Sequence, residues 1–367
     1  MAAAAEIIDC LRLINSPRVG AATFYKLTES CGSAAAALET LKSPCPAGWA
    51  EQEAERAEKC GIQIILYTDP EYPQVLKHTD AAPPLLYVCG QTAFLNTPLS
   101  LSIVGARNAS INGRKTASRI AYDLSEEKVM IISGMARGID SAAHKGAMYA
   151  QGQKGPTIAV LGTGVDVVYP EENRDLYEQI AEQGAVISEF PLGTLPTSNN
   201  FPRRNRIVAA LSQATLVVEA TAKSGSLITA GLAQEMGRKL LAVPGAPSDA
   251  RATGPNHLIK AGAVLAENAA DILPVLRSLP PGPSMKPQQA KKTRQRDLFI
   301  TAAENEFTAE EPVKTKIIDY LNRDGVYVDE IIRASGLDQA TISLELLQLE
   351  MSGRIIRLPG NKVALIK

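Results

Sequence analysis

Val129-Met130-Ile131-Ile132 runs straight into Ser133-Gly134-Met135-Ala136-Arg137-Gly138-Ile139-Asp140, and the reading of that junction decides the fold. A short apolar run behind charged residues reads as a buried strand. The glycine-containing segment after it reads as a loop that opens a helix, where free backbone N–H groups can meet an anion. A second stretch, Phe201-Pro202-Arg203-Arg204-Asn205-Arg206, sets three arginines within four positions. Together they describe a phosphate-rich ligand held at one edge of an α/β sheet. Neither stretch brings an obvious nucleophile or metal cluster, so polyanion binding is the leading idea.

Outward from this junction, β-branched and apolar runs alternate with helical patterns, as expected where crossover helices cover a mostly parallel sheet. The strand candidates are Leu99 to Val104, Val129 to Ile132, Thr157 to Leu161, Ala185 to Ser188, Thr215 to Val218 and Leu240 to Val243. Six such strands make a Rossmann-like α/β domain, assigned to residues 93–280. A dinucleotide site would need closely spaced glycines after the first strand and an acid after the second. Val104-Gly105-Ala106-Arg107-Asn108 lacks the glycine triplet, and Ser133, Gly134 and Arg137 stand where the acid should be. No nicotinamide or other cofactor is expected.

Residues 1–92 read as a small helical unit with an extended connection. Ile7, Ile8, Leu11 and Ile14 form one apolar face, Asn15 to Gly20 breaks it, and Phe24 and Leu27 resume it, resembling a helix-hairpin-helix or SAM-like module. With 7 basic and 11 acidic residues, this unit reads more readily as a packing or docking domain than as a DNA contact. Residues 281–305 form a linker rich in proline and then in lysine and arginine, read as a solvated tether whose charge could also touch DNA. Residues 306–367 have the order of a winged helix: Val313 to Asn322, Asp329 to Ser335, Gln339 to Met351, then a hairpin of Ile355 to Leu358 and Val363 to Ile366. The third helix lacks the basic face of a duplex reader, so protein docking or a structural lid is the preferred role.

The 367 residues carry 38 basic and 39 acidic side chains, a net charge of −1, so any nucleic-acid surface must be local. Cysteines 10, 31, 45, 60 and 89 form no Cys-x-x-Cys pair, which fits a reducing compartment, and three scattered histidines give metal catalysis little support. No secretory signal or membrane span is visible, and a cytoplasmic location is expected.

Along the ligand edge, Gly134 and Gly138 allow close backbone approach, Ser133 can donate a hydroxyl hydrogen, and Arg137 can clamp phosphate or pair with Asp140 or Asp166. Asp140 and His144, four apart, read as capping and support. In Gly162-Thr163-Gly164-Val165-Asp166, Thr163 can reach a phosphate or sugar, whereas Asp166 would repel phosphate and better orients an arginine or an amide. Phe201 reads either as a stacking platform for a base or as an apolar anchor. Arg203, Arg204 and Arg206 read as backbone clamps, with Glu189 or Glu219 able to pair with one of them. Lys223, Ser224, Gly225 and Ser226 form a further anion nest at a helix start.

The ordered combination of the 133–140 loop with His144, Gly162-x-Gly164-x-Asp166 with Tyr169-Pro170, Ser188-Glu189, Phe201-Pro-x-Arg-Asn-Arg206, Glu219, Ser224 to Ala230 and Val243-Pro244-Gly245 closely resembles the DNA-processing protein A family, DprA/Smf. The resemblance implies a non-enzymatic protein that binds single-stranded DNA in a basic pocket, dimerises, and loads RecA onto incoming DNA during natural transformation. A single-stranded-DNA-binding protein is a further implied partner. Arg137, Arg204 and Arg206 match the family's motif arginines. Candidate dimer surfaces are the Leu240 to Val243 edge, Leu258-Ile259 and Val264-Leu265. Two departures stand against the resemblance: residues 93–280 are near neutral, with 18 basic and 16 acidic side chains, and the third C-terminal helix lacks cations. The rival readings are a nucleotide-processing phosphoribohydrolase-like enzyme, for which Ala246 replaces the second glycine of a Pro-Gly-Gly loop, and a structural adaptor.

Overall fold

The computed structural model describes residues 2–79, 82–153, 155–279, 326–328, 342, 346, 350, 355–358 and 362–365. The chain divides into two compact units, Met1–Thr308 and Ala309–Lys367. Four helices open the first unit: α1 (Ala2–Ile14), α2 (Ala21–Cys31), α3 (Ala34–Glu39) and α4 (Ala47–Lys59). The chain then crosses β1 (Gln63–Leu66), the short α5 (Gln74–Lys77) and β2 (Leu85–Gly90). Strand and helix alternate from there: β3 (Ser100–Val104), α6 (Ile111–Glu126), β4 (Met130–Ser133), α7 (Ile139–Gln153), β5 (Thr157–Val160) and α8 (Arg174–Gln183). The alternation continues through β6 (Ala185–Ser188), α9 (Asn200–Leu211), β7 (Ala214–Val217), α10 (Gly225–Glu235), β8 (Lys239–Ala242), α11 (Thr253–Lys260), β9 (Val264–Leu265) and α12 (Ala269–Ser278).

The first unit contains one nine-stranded sheet in the order β1-β2-β6-β5-β4-β3-β7-β8-β9. Each of the six expected strands is present, shifted by at most one residue. Three more extend the sheet. The extended connection of residues 1–92 supplies β1 and β2, which pair antiparallel with each other and onto β6. β9, two residues long, pairs parallel with β8. Leu240 to Val243 is therefore an interior strand and no dimer edge, because β8 has neighbours on both sides.

Strands buried on both faces read as continuous apolar runs, which is why the six were visible. On one face Ile132, Val160, Ile187 and Val217 pack with α9 and α10 residues such as Val208 and Ala230. On the other, Leu101, Ile103, Ile131 and Leu216 pack with Ile120 of α6, Ala143 of α7 and Ile272 of α12. Leu11, Phe24, Leu38 and Ala57 of the N-terminal helices share a third cluster with Leu66, Tyr87 and Leu192.

β3 lies between β4 and β7, so the chain leaves it towards one side and returns on the other. In an open parallel sheet this reversal leaves a crevice outside the carboxyl ends of the strands.

In the second unit, β10 (Val326–Tyr327), β11 (Ile355–Leu358) and β12 (Lys362–Leu365) form a three-stranded antiparallel sheet in the order β10-β12-β11. Ile342 and Leu346 are helical and buried. The linker expected over 281–305 and the helices expected at Val313 to Asn322 and Asp329 to Ser335 lie outside the described residues, as does most of Gln339 to Met351.

Candidate nucleic-acid interface

The loop from β4 to α7 is built around buried polar contacts. Asp140, in the first turn of α7, accepts from the amides of Gly134 at 3.1 Å and Ala136 at 3.4 Å, which curls the loop onto the helix N-terminus. Arg204 reaches this loop from α9. Its Nη1 donates to the Gly134 carbonyl and, at 2.8 Å, to that of Val160, and the residue is only 4% exposed. A Cβ on Gly134 would overlap the guanidinium, so glycine is required for this approach. Ser133 is also fully buried, its hydroxyl donating to Ile103 at 2.6 Å.

Below them Thr157 donates to the Ile131 carbonyl at 2.7 Å and lies 2.9 Å from His144 Nδ1. Because the one hydroxyl hydrogen is spent on Ile131, Nδ1 must carry the imidazole proton and Nε2 the lone pair. Nε2 is buried without a hydrogen-bond partner among the described residues. Burial, then the Arg204 charge, pushes His144 down to about 3. Burial pushes Asp140 up, opposed by Arg204 and by the two amides, and pushes Arg204 down to about 10, opposed by Asp140. These groups form the floor of the site.

Above the floor lies a rim of rings and exposed cations. The Phe201 ring is half-buried, 5.9 Å from the Arg204 guanidinium carbon and 5.3 Å from that of the exposed Arg107. Tyr169 lies beside it, ring centroids 5.6 Å apart and planes tilted by 43°. Arg137 Nε pairs with Glu172 at 2.5 Å, both side chains at least half exposed. Glu172 is thus an acidic partner of Arg137 that the sequence, offering Asp140 and Asp166, did not point to. Arg203 lies 4.7 Å over the Phe190 ring and 3.4 Å from Glu189, while Arg206 pairs with the same carboxylate at 2.5 Å.

The crevice at the strand reversal is closed by the chain's own acid. Glu219, just past β7, accepts from the Ser110 amide at 2.8 Å and the Ser110 hydroxyl at 2.6 Å, while Ser110 caps α6 by accepting from Gly113. A carboxylate therefore occupies the start of α6, the place where a dinucleotide pyrophosphate would sit. Further along the β7 loop, Lys223 is exposed, and the Ser224 and Ser226 hydroxyls lie 2.9 Å apart where Gly225 opens α10.

Thr163 is buried and its hydroxyl donates to Val167 at 2.8 Å, so it belongs to the turn. Asp166 accepts from the Gly193 amide at 2.7 Å and pairs with Arg56 of α4 at 3.6 Å. Buried Glu53, also on α4, accepts from the Leu192 amide at 2.6 Å, so two carboxylates hold consecutive amides of the loop after β6.

The structure thus separates the sequence candidates. Gly138 packs against the Ala106–Arg107 backbone after β3, Phe201 lies by Arg107 and by Gly162 after β5, and Arg203 lies by Glu189 and Phe190 after β6, while Arg137 follows β4. Ser133, Thr163 and Arg204 are buried and donate hydrogen bonds to backbone carbonyls of the protein. Arg206 is held by Glu189, and Lys223 to Ser226 sit on the neighbouring β7 loop. Arg107 and Tyr169 are the rim residues that sequence reasoning did not assign. Arg107 had a signal in its place three residues after the end of β3, whereas Tyr169 lies nine residues beyond β5 and had none of that kind. Among the described residues no group of His, Cys, Asp or Glu could hold a metal ion, and no helix is long and apolar enough to cross a membrane.

A doubly wound sheet with cations and aromatic rings along its carboxyl edge defines an anion-binding α/β protein with helical and winged-helix additions. Residues 63–277 match the family described as DNA recombination-mediator protein A, residues 4–57 a DprA-like N-terminal HHH domain, and residues 301–361 a DprA winged helix domain. Protein Smf of Synechocystis sp. is 35% identical over 334 residues, covering 85% of this chain and 82% of the relative. Protein Smf of Escherichia coli is 35% identical over 308 residues, covering 82% and 77%. The X-ray structure of DNA processing protein A from Streptococcus pneumoniae superposes with a TM-score of 0.59 at 35% identity, covering 67% of this chain and 83% of that one. A Helicobacter pylori DNA processing protein A structure, described for its single-stranded DNA binding mode, gives 0.53 at 28% identity, covering 59% and 95%. The chain belongs to the DprA/Smf DNA-processing protein family.

Proposed function

We propose that this protein binds single-stranded DNA along the carboxyl edge of its sheet, with little base preference, and hands it to RecA during the processing of incoming DNA. The observation that carries the reading is the rim itself: exposed Arg107 lies 5.3 Å from the Phe201 ring, which Tyr169 flanks, and exposed Arg137 and Arg203 stand on the β4–α7 loop and the first turn of α9. Cations that track a backbone beside rings that stack on any base are the chemistry of sequence-tolerant single-strand binding. The membership in DprA/Smf supports it, as does the single-stranded DNA binding described for the Helicobacter pylori relative. A single-stranded-DNA-binding protein is a second partner in this reading. The acidic N-terminal unit, SAM-like in outline, serves as a docking and packing domain, and the winged helix adds little DNA affinity of its own.

The reading includes a homodimer joined through β9, the strand at one end of the sheet, where Leu265 is 46% exposed. An exposed apolar strand edge is a template for pairing with a second chain, and a dimer would set two pockets on one strand. The deciding experiment is a salt series comparing single-stranded with duplex DNA. Affinity for the single strand should exceed that for duplex and fall steeply with salt. Equal or tighter duplex binding would overturn the proposal.

A further inference from the structure

The outer face of α6 and α7 carries groups that the carboxyl edge does not use. Both helices begin at that edge and follow the adjacent parallel strands β3 and β4, so they run side by side away from it. They touch along a seam, because a Cβ on Gly146 would overlap the Ser118 backbone. Opposite its buried stripe, α6 exposes Ile111, Lys115, Arg119 and Tyr122, and α7 exposes Lys145 and Tyr149 one turn apart. With Gly146 level with Ser118, the two lysines flank the seam near the edge and the two tyrosines flank it farther down.

Ile111 is 65% and Tyr149 64% exposed. The ion pairs of this face are Arg119 with Asp123 at 2.8 Å and Arg277 with Glu127 at 2.8 Å; among the described residues Lys115 and Lys145 are in none. Ile111 stands four residues beyond Arg107, so the face is continuous with the rim. Glu126, whose carboxylate accepts from the Gln151 amide at 2.6 Å, ends the cationic stretch at the bottom.

We infer that the seam continues the single-stranded DNA path, an inference that rests on the reading of the edge as a DNA site. A strand held at Arg107 leaves over Ile111 and descends between the helices, with Lys115 and Lys145 against phosphates and Tyr122 and Tyr149 beneath bases. α6, with 16 residues, is about 24 Å long, enough for several nucleotides. A pair of lysines followed by a pair of aromatic faces suits a polyanion with stackable bases better than a folded partner, whose surface would bring its own ordered pairs.

The test uses the full chain with two oligothymidylates, one confined to the edge at about 5 nucleotides and one reaching the tyrosines at about 15. Lys115→Ala/Lys145→Ala should leave the short oligomer's affinity unchanged. For the long one it should lower the magnitude of the salt slope by about 1.4, at roughly 0.7 per lost phosphate contact. In Trp49→Phe/Tyr149→Trp, the long oligomer should quench the new indole and the short one should not. An unchanged slope, or an indole blind to the long oligomer, would overturn the path and assign the face to a protein partner. If the wild-type chain bound neither oligomer, the edge reading would fall and the seam with it, whereas binding of both with no effect of the double substitution would sink the seam alone.

Discussion

Arg203 and Arg204 are neighbours in sequence and belong to different regions. One is exposed over Phe190, and the other is buried under the β4–α7 loop. The rim around Arg203 can exchange its partners for a ligand's phosphates. The floor around Arg204 cannot, because its hydrogen bonds hold the Gly134 and Val160 carbonyls and its charge offsets Asp140. An arginine-rich motif is therefore not one site. It is an exposed cation over Phe190 and an internal brace that holds the β4–α7 loop.

The largest expected effect comes from breaking the floor. Arg204→Ala leaves the buried Gly134 and Val160 carbonyls without that donor and removes the positive charge that favours ionised Asp140, and should cost several kcal/mol of stability, roughly 1–3 kcal/mol for each buried group left unsatisfied. Arg204→Lys should recover part of this loss, since Nη1 alone makes both carbonyl contacts and an ammonium carries enough N–H donors for two, though on a shorter side chain that must bring it to the same place. Chemical denaturation measures this. A variant with the wild-type midpoint but no DNA binding would move Arg204 to the rim and erase the distinction.

On the rim the expectation is reversed. Arg107→Ala should leave the denaturation midpoint in place and weaken single-stranded DNA binding by roughly 1–3 kcal/mol, the scale of a charge-assisted contact. A fluorescence titration checks it. Unchanged affinity would show that Arg107 serves only to pack against Phe201.

The difference between the two regions was partly legible in the sequence. The six central strands stood out because burial on both faces makes them apolar throughout, whereas β9 is too short for any periodic signal. Arg204 had a signal that composition hides: it heads the stripe 204, 207, 208, 211, whose other members are buried. Arg203, however, heads an equally buried set at 207 and 210, so spacing alone does not tell the two arginines apart. The partners were not legible. Glu172 lies 35 residues from Arg137, and Glu219 lies 109 from Ser110, pairings that only the crossovers bring about.

A pH titration sharpens the same contrast from inside. His144 is held neutral in the fold, with its pKa lowered from 6.5 to about 3. The unfolded chain therefore takes up the proton first as pH falls. The stability linked to His144 is fully present above about 6.5 and is lost between there and about 3, amounting to roughly 2 kcal/mol by pH 5. Asp140, shifted upward by burial, acts with the opposite sign. His144→Gln should flatten the fall between pH 6.5 and 5 seen in denaturation midpoints. An equally steep fall in that variant would place the acid sensitivity elsewhere.

The smallest effect concerns the boundary between floor and rim. Arg137 pairs with Glu172 across 35 residues, but both side chains are exposed, and such a pair is worth at most about 1 kcal/mol and is screened by salt. A phosphate arriving at Arg137 must compete with that carboxylate. Glu172→Gln should accordingly raise single-stranded DNA affinity by up to about fivefold at low salt, the equivalent of that 1 kcal/mol, with the gain shrinking as salt rises. Combining it with Arg137→Ala should abolish the gain, since no cation is left to release. If Glu172→Gln instead weakened binding, the pair would be holding the loop in shape, and Arg137 would belong with Arg204 among the braces.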